Sequence, residues 1–221
     1  MISNSQIREK ARKILGKELF SASWLYPIVI VLVVGTIISF LSATGIGAFV
    51  VIGILSIAST NYYLSRVRGT IEAKDLNATI NGVQKNFTNS LIAGILCSLF
   101  VTLGTVFLII PGIIVALSLS LVYYIINDHP EMSAMDALKE SNRLMKGKKM
   151  KLFNLYLSFI GWSIVGSLVL GIGTLWVTVY LDTSLAIFYE EILAEDALSS
   201  QENPEEAKQR EQDKINNSTS W

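Results

Sequence analysis

The stretch SLIAGILCSLFVTLGTVFLIIPGIIVALSLSLVYYIIN, residues 90–127, decides the fold, and it carries no charged side chain. A helix that crosses a bilayer needs roughly 17–25 consecutive apolar residues. This tract is too long for one such helix and too short for two generous ones. Inside it sits Pro111-Gly112, and a Pro-Gly pair is a strong turn signal. The expectation is two spans, 90–110 and 113–127, joined by a tight turn at that pair. The alternative is one long helix kinked by the proline.

Four further apolar tracts lie outward from this one, at 24–43, 46–64, 151–170 and 174–193. Together they predict six transmembrane helices. The basic residues test that count. Arg8, Lys10, Arg12, Lys13 and Lys17 precede the first span. Arg66, Arg68, Lys74 and Lys85 lie between spans two and three. Lys139, Arg143, Lys146, Lys148, Lys149 and Lys151 lie between spans four and five, and Lys208, Arg210 and Lys214 follow span six. These are all 18 Lys and Arg residues of the chain. The connections at Thr44-Gly45, Pro111-Gly112 and Gly171-Ile172-Gly173 contain none. The positive-inside rule then places both termini and both long loops in the cytoplasm. The first apolar tract exceeds the 7–15 residues of a signal-peptide core, so it is read as a retained span. No lipidation motif is present.

Composition agrees with a membrane location. Of 221 residues, 51% are hydrophobic and 16% charged, and the formal net charge is zero. Soluble domains carry about 25% charged residues. A disordered chain, a nucleic-acid binder and an ordinary soluble enzyme are all disfavoured. One Cys and one His allow neither an internal disulfide nor a Cys/His metal cluster. No metal or cofactor site is expected. The motifs H-E-x-x-H, G-x-S-x-G and the P-loop are absent, so no catalytic residue is assigned.

Each basic stretch that precedes a pair of spans reads as an amphipathic helix. In the first, Ile7, Ala11, Ile14, Leu15 and Leu19 share a face opposite Arg8, Lys10, Arg12, Lys13 and Lys17. Ser3 and Gln6 have capping-box spacing. In the second, Leu76, Ile80, Val83 and Phe87 align. In the third, Ala137, Leu138, Leu144 and Met145 form the stripe, with Ser133 and Asp136 at its start and Gly147 at its stop. Units of amphipathic helix, span, turn and span thus begin near residues 5, 71 and 134. They are either a parallel structural repeat or the ordinary rhythm of a six-span protein. The five basic residues of the first helix are candidate contacts to anionic inner-leaflet lipid, where each such charge adds about 1 kcal/mol.

Asp182 stands out because it falls near the middle of the sixth span. A charge there costs roughly 2.5–3.5 kcal/mol or more, so the residue is expected to face the bundle interior. Thr178, Tyr180 and Tyr189 are its candidate companions. Two readings stand: an ion, proton or ligand site, or a neutral carboxyl hydrogen-bonded across the bundle. Ser90, Gly94, Ser98 and Thr102 in span three, and Ser163, Ser167 and Gly171 in span five, form small-residue stripes read as helix-packing faces. Asp128, His129 and Glu131 could form a metal or proton site, but Pro130 and the following cap favour a plain connector. Trp24, Trp162 and Trp176, near span ends, are read as interfacial anchors. The tail 195–221 holds seven acids and three bases and is read as a disordered cytoplasmic segment or a frayed helix.

Several motifs of the second half occur together: IIPGI (109–113), NDHPEMSAMDALKESNRLMKG (127–147), LFNLYLSFIGW (152–162), LGIGTLW (170–176) and TSLAIFY (183–189). With these the segment from Leu103 to Leu193 resembles a family of bacterial integral membrane proteins, common in Gram-positive bacteria, known as domain-of-unknown-function family 975. That family has Pro-Tyr before its last motif, where this chain has Val179-Tyr180. The resemblance implies a six-span protein of a bacterial cell membrane and carries no activity with it. The expectation is therefore an all-α polytopic bundle, residues 1–194, with cytoplasmic amphipathic helices. Its expected role is a non-enzymatic membrane component that binds lipid, a membrane protein partner or a second copy of itself, with no nucleic acid. The alternative is a small transporter or channel using Asp182.

Overall fold

A computed structural model describes residues 2–16, 21, 23–29, 31, 32, 36, 47–70, 76–107, 109–168 and 173–202. Among these residues every regular element is helical. The helices are α1 (Asn4–Leu15), α2 (Gly47–Val67), α3 (Leu76–Phe107), α4 (Ile109–Ser118), α5 (Val122–Asp128), α6 (Ala134–Leu144), α7 (Lys149–Leu168) and α8 (Gly173–Glu202). Residues 23–29 are also helical, while most of the expected first span lies outside the described residues. Neighbours in sequence pack as hairpins, α2 on α3, α3 on α4 and α7 on α8. The hairpins are joined sideways where α2 meets α5 and α8, and where α4 meets α7.

The caps form as their sequences dictate. The Gln6 amide donates to Ser3 Oγ at 3.3 Å and the Ser3 amide to Gln6 Oε1 at 2.8 Å, a complete capping box. The Asp136 amide donates to Ser133 Oγ at 3.2 Å and starts α6. Gly147 adopts φ +77°, a left-handed turn that lets the chain reverse into α7. The stripe Ala137, Leu138, Leu144 and Met145 is buried, and α6 packs on α5 and α3.

Three boundaries differ from the sequence reading. The second amphipathic stretch is not a separate helix: α3 runs unbroken from Leu76 to Phe107, because nothing between Phe87 and Ser90 breaks a helix. α3 ends at Phe107 and α4 starts at Ile109, so the break between them lies ahead of Pro111-Gly112, which is inside α4. Pro111 falls in the first turn of α4, where its missing N–H has no intrahelical partner to lose. The expected fourth span, 113–127, is delivered as two helices. Ser118 Oγ donates to the Ile114 carbonyl at 2.7 Å and Ser120 Oγ to that of Leu117 at 2.8 Å. Such back-bonding competes with the helical ladder. Ser141 of α6 fills the gap, donating to the Ser118 carbonyl at 2.7 Å and accepting from the Leu121 amide at 3.2 Å.

The apolar ends of two hairpins are closed by glycine. A Cβ on Gly166 would lie 2.8 Å from the Gly173 carbonyl carbon, and one on Gly104 would lie 3.1 Å from the Gly112 Cα. The contact in α7 is one residue off the expected small stripe, since Gly166 is buried and Ser167 exposed. In α3 the stripe fades outward: Ser90 and Gly94 are buried, Thr102 is exposed. α8 passes the expected end of span six and continues through Glu195 and Asp196 to Glu202, so the first eight residues of the acidic tail are helical. The remainder, 203–221, lies outside the described residues.

Candidate functional site

The side chains with chemistry gather along α8. Its tenth residue, Asp182, is mostly buried at mid-helix. Among the described residues, the Asp182 carboxylate acts electrostatically on Tyr63 of α2, Tyr124 of α5 and Tyr156 of α7. Tyr63 is buried, and its hydroxyl has no hydrogen-bond partner among the described residues. A buried hydroxyl without a partner is costly, and its usual remedy is a water or a bound group. Asp182 and phenols from three other helices thus lie within electrostatic reach of one another.

The companions expected from sequence are placed elsewhere. Thr178 Oγ1 donates to the Thr174 carbonyl of its own helix at 3.0 Å. Tyr180 stands two residues from Asp182, about 200° around the helix. Its hydroxyl donates to the Arg8 carbonyl at 2.9 Å, and its ring packs on Phe159 with centroids 5.0 Å apart. Tyr189 is two turns further along. Its ring lies 5.1 Å from that of Tyr124, and its hydroxyl donates to Asp128 Oδ2 at 3.0 Å. Tyr189 therefore links the Asp182 centre, through Tyr124, to a second and fully ionic layer.

That layer is built on Asp128, which the sequence reading left as part of a connector. Arg68 holds both Asp128 oxygens, at 2.6 and 2.7 Å, and donates from Nε to Glu190 at 2.7 Å. The Asp128 hydrogen bond raises the Arg68 pKa further above its ordinary value, with Glu190 adding to it. Arg143 makes the same kind of fork with Asp196, at 2.8 and 2.9 Å, and with Glu140, at 2.8 and 2.9 Å. The Asp196 hydrogen bond is the first cause of its raised pKa. Lys10 reaches Glu191 at 2.7 Å and Lys148 reaches Glu195 at 3.6 Å. So Glu190, Glu191, Glu195 and Asp196, on one helix, take four cations from three basic segments. Charge counts showed the excess of acid here; which base each acid meets was not legible. His129 Nδ1 meets Glu131 at 3.2 Å with both exposed, and no three His, Cys, Asp or Glu side chains converge among the described residues. Asn89 donates to the carbonyls of Pro130 and Met132, at 3.1 and 2.9 Å, tying this turn to α3.

The first basic helix is docked as well as exposed. Ile7, Ala11 and Leu15 are buried, and α1 packs on α8 and α7. Its apolar face is therefore packed on the bundle at Ile7, Ala11 and Leu15. Of its candidate lipid contacts, Lys10 and Lys13 pair with Glu191 and Glu9, Arg8 lends its carbonyl to Tyr180, and Arg12 stands over the Tyr180 ring. Lys17 lies outside the described residues.

No curated protein and no solved structure matches the chain. Residues 105–196 match the model of the family described as Protein of unknown function (DUF975), and it is to this family that the segment from the end of α3 through Asp196 of α8 is similar.

Proposed function

We propose that the chain is a multi-pass integral membrane protein without catalytic activity, a membrane component that binds lipid or protein partners. Its charged end would face the cytoplasm of a bacterial cell. The supporting observation is the number of large apolar side chains exposed away from the ion pairs. Ile110 is 71% exposed, Trp162 60%, Ile164 58% and Val165 57%, and Ile95, Leu99 and Leu103 of α3 join them. Soluble monomers seldom expose contiguous apolar patches larger than a few hundred Å². Phe87–Gly104 and Ile110–Asp128 have mean hydropathies of 1.7 and 1.9 and the length to cross a bilayer. Alkaline carbonate extraction of membranes tests the reading. Retention in the pellet is expected, and release into the supernatant overturns it. Orientation is read separately, in a Cys97→Ser background. A membrane-impermeant thiol reagent should label Gly171→Cys in intact cells and Lys146→Cys only after permeabilisation.

A second reading, a small transporter or channel, is favoured by the Asp182 centre and the orphaned Tyr63 hydroxyl beside it. Asp182→Asn separates the two. A carrier loses proton- or ion-coupled flux in vesicles, whereas a packing carboxyl tolerates the amide with unchanged flux.

A further inference from the structure

A groove of about 550 Å³ opens between α1, the 23–29 helical segment, α7 and the start of α8. That is within the roughly 300–1,000 Å³ of clefts that hold ligands. Its walls are rings from three separate segments: Trp24, Trp162, and Trp176 with Tyr180. The polar atoms of two of these rings are turned into the α1 backbone. Trp24 Nε1 donates to the Gly16 carbonyl at 3.3 Å and the Tyr180 hydroxyl to that of Arg8 at 2.9 Å. The Trp24 and Tyr180 rings meet edge to face with centroids 6.3 Å apart. What these two present to the groove is therefore apolar ring surface.

One charge stands at the edge of this slot. The Arg12 guanidinium carbon lies 5.9 Å from the Tyr180 ring centroid, a cation–π placement that holds the group at the groove. Arg12 is exposed, and no carboxylate lies within ion-pair distance of it among the described residues. Its neighbours differ, since Lys10 is neutralised by Glu191 at 2.7 Å and Lys13 by Glu9 at 2.8 Å. A guanidinium without an acid matches a phosphate through two parallel hydrogen bonds. A cation at the end of a slot lined by tryptophan matches an amphiphile with an anionic head and an acyl tail. It does not match a polar metabolite, for which the walls offer few partners.

We propose that this groove holds one anionic glycerophospholipid, its phosphate on Arg12 and one acyl chain along Trp162, Trp176 and Val177. The inference rests on the membrane reading above and assigns it a site. The test uses the full chain in phosphatidylcholine vesicles containing a minor fraction of phosphatidylglycerol. Either lipid carries bromine on its acyl chains, and tryptophan fluorescence is recorded. Brominated phosphatidylglycerol should quench more strongly than brominated phosphatidylcholine at equal mole fraction. Arg12→Gln should weaken that preference about fivefold, the change that one basic residue at a lipid surface carries. Lys139→Gln, on α6 and away from the groove, should leave it intact. Equal quenching by both lipids in the wild type overturns the site, as does an equal loss in the two variants, which would mean diffuse attraction. Dimerisation or a retained protein that shields the tryptophans from both lipids also overturns it, by filling the groove with protein. Carbonate extraction of the same vesicles separates the failures. Released protein sinks the membrane reading, while retained protein without lipid preference sinks only the groove.

Discussion

The two ends of the bundle are held by different physics. At the charged end, segments far apart in sequence are joined by ions: Arg68 to Asp128 and Glu190, Lys10 to Glu191, Arg143 to Asp196. At the apolar end, segments adjacent in sequence are joined by bare backbone, Gly104 against Gly112 and Gly166 against Gly173. Lipid tails are as apolar as leucine, so helices within a bilayer gain from close packing more than from hydrophobic burial. Where water is near, charges find partners at long range and also choose among them. The glycine contacts close individual hairpins. The ion pairs tie one hairpin to the next.

Steric change should therefore dominate at the apolar end and be indifferent to salt. Gly166→Ala places a Cβ 2.8 Å from backbone that cannot rotate away, and is expected to cost about 3 kcal/mol. Thermal unfolding in detergent checks this. Gly161→Ala, with nothing within 4 Å, should be neutral or slightly stabilising in the same measurement. Equal effects would mean that the hairpin is not closed at Gly166.

Ser141→Ala comes next. It leaves the buried Leu121 amide and the Ser118 carbonyl without their partner at the break between α4 and α5, an expected cost of about 2 kcal/mol. Hydrogen exchange should show α5 opening first. At the charged end, Asp128→Asn removes the charge from the Arg68 fork and is expected to cost about 1.5 kcal/mol. Its effect should shrink as salt is raised, because both partners are partly exposed. A salt-independent loss would break the distinction between the ends.

The smallest effect is at the cap of α6. The Ser133 hydrogen bond, and then Lys139, hold the Asp136 carboxyl below its ordinary value of 3.8. A lowered folded pKa means a contribution complete above the ordinary value and lost as pH falls through the folded one. The melting temperature should thus dip slightly below about pH 4. In Asp136→Asn that dip should be absent.

How much of this was readable in advance depended on range. The capping box at Ser3 and Gln6, the Ser133 cap, the Gly147 reversal and the buried stripe of α6 follow from spacing within one or two turns. The Asp182 centre was readable as a position but not as a neighbourhood. Sequence proximity pointed to Tyr180, which the helical twist carries to the opposite side, while Tyr63, Tyr124 and Tyr156 come from three other helices.

The sequence by itself determined that the described chain is helical and that charge and apolar surface are segregated along it. Both are consequences of hydrophobic period and of where Lys and Arg are permitted. Tertiary structure alone decided that the break between α3 and α4 lies ahead of Pro111, that Gly166 and not Ser167 meets α8, and that three tryptophans share a groove with Arg12. It also decided that α8 gathers bases from three segments. These outcomes depend on the rotation of each helix about its axis and on which helix lies beside it. Both are settled by packing between residues far apart in the chain, where local spacing carries no information.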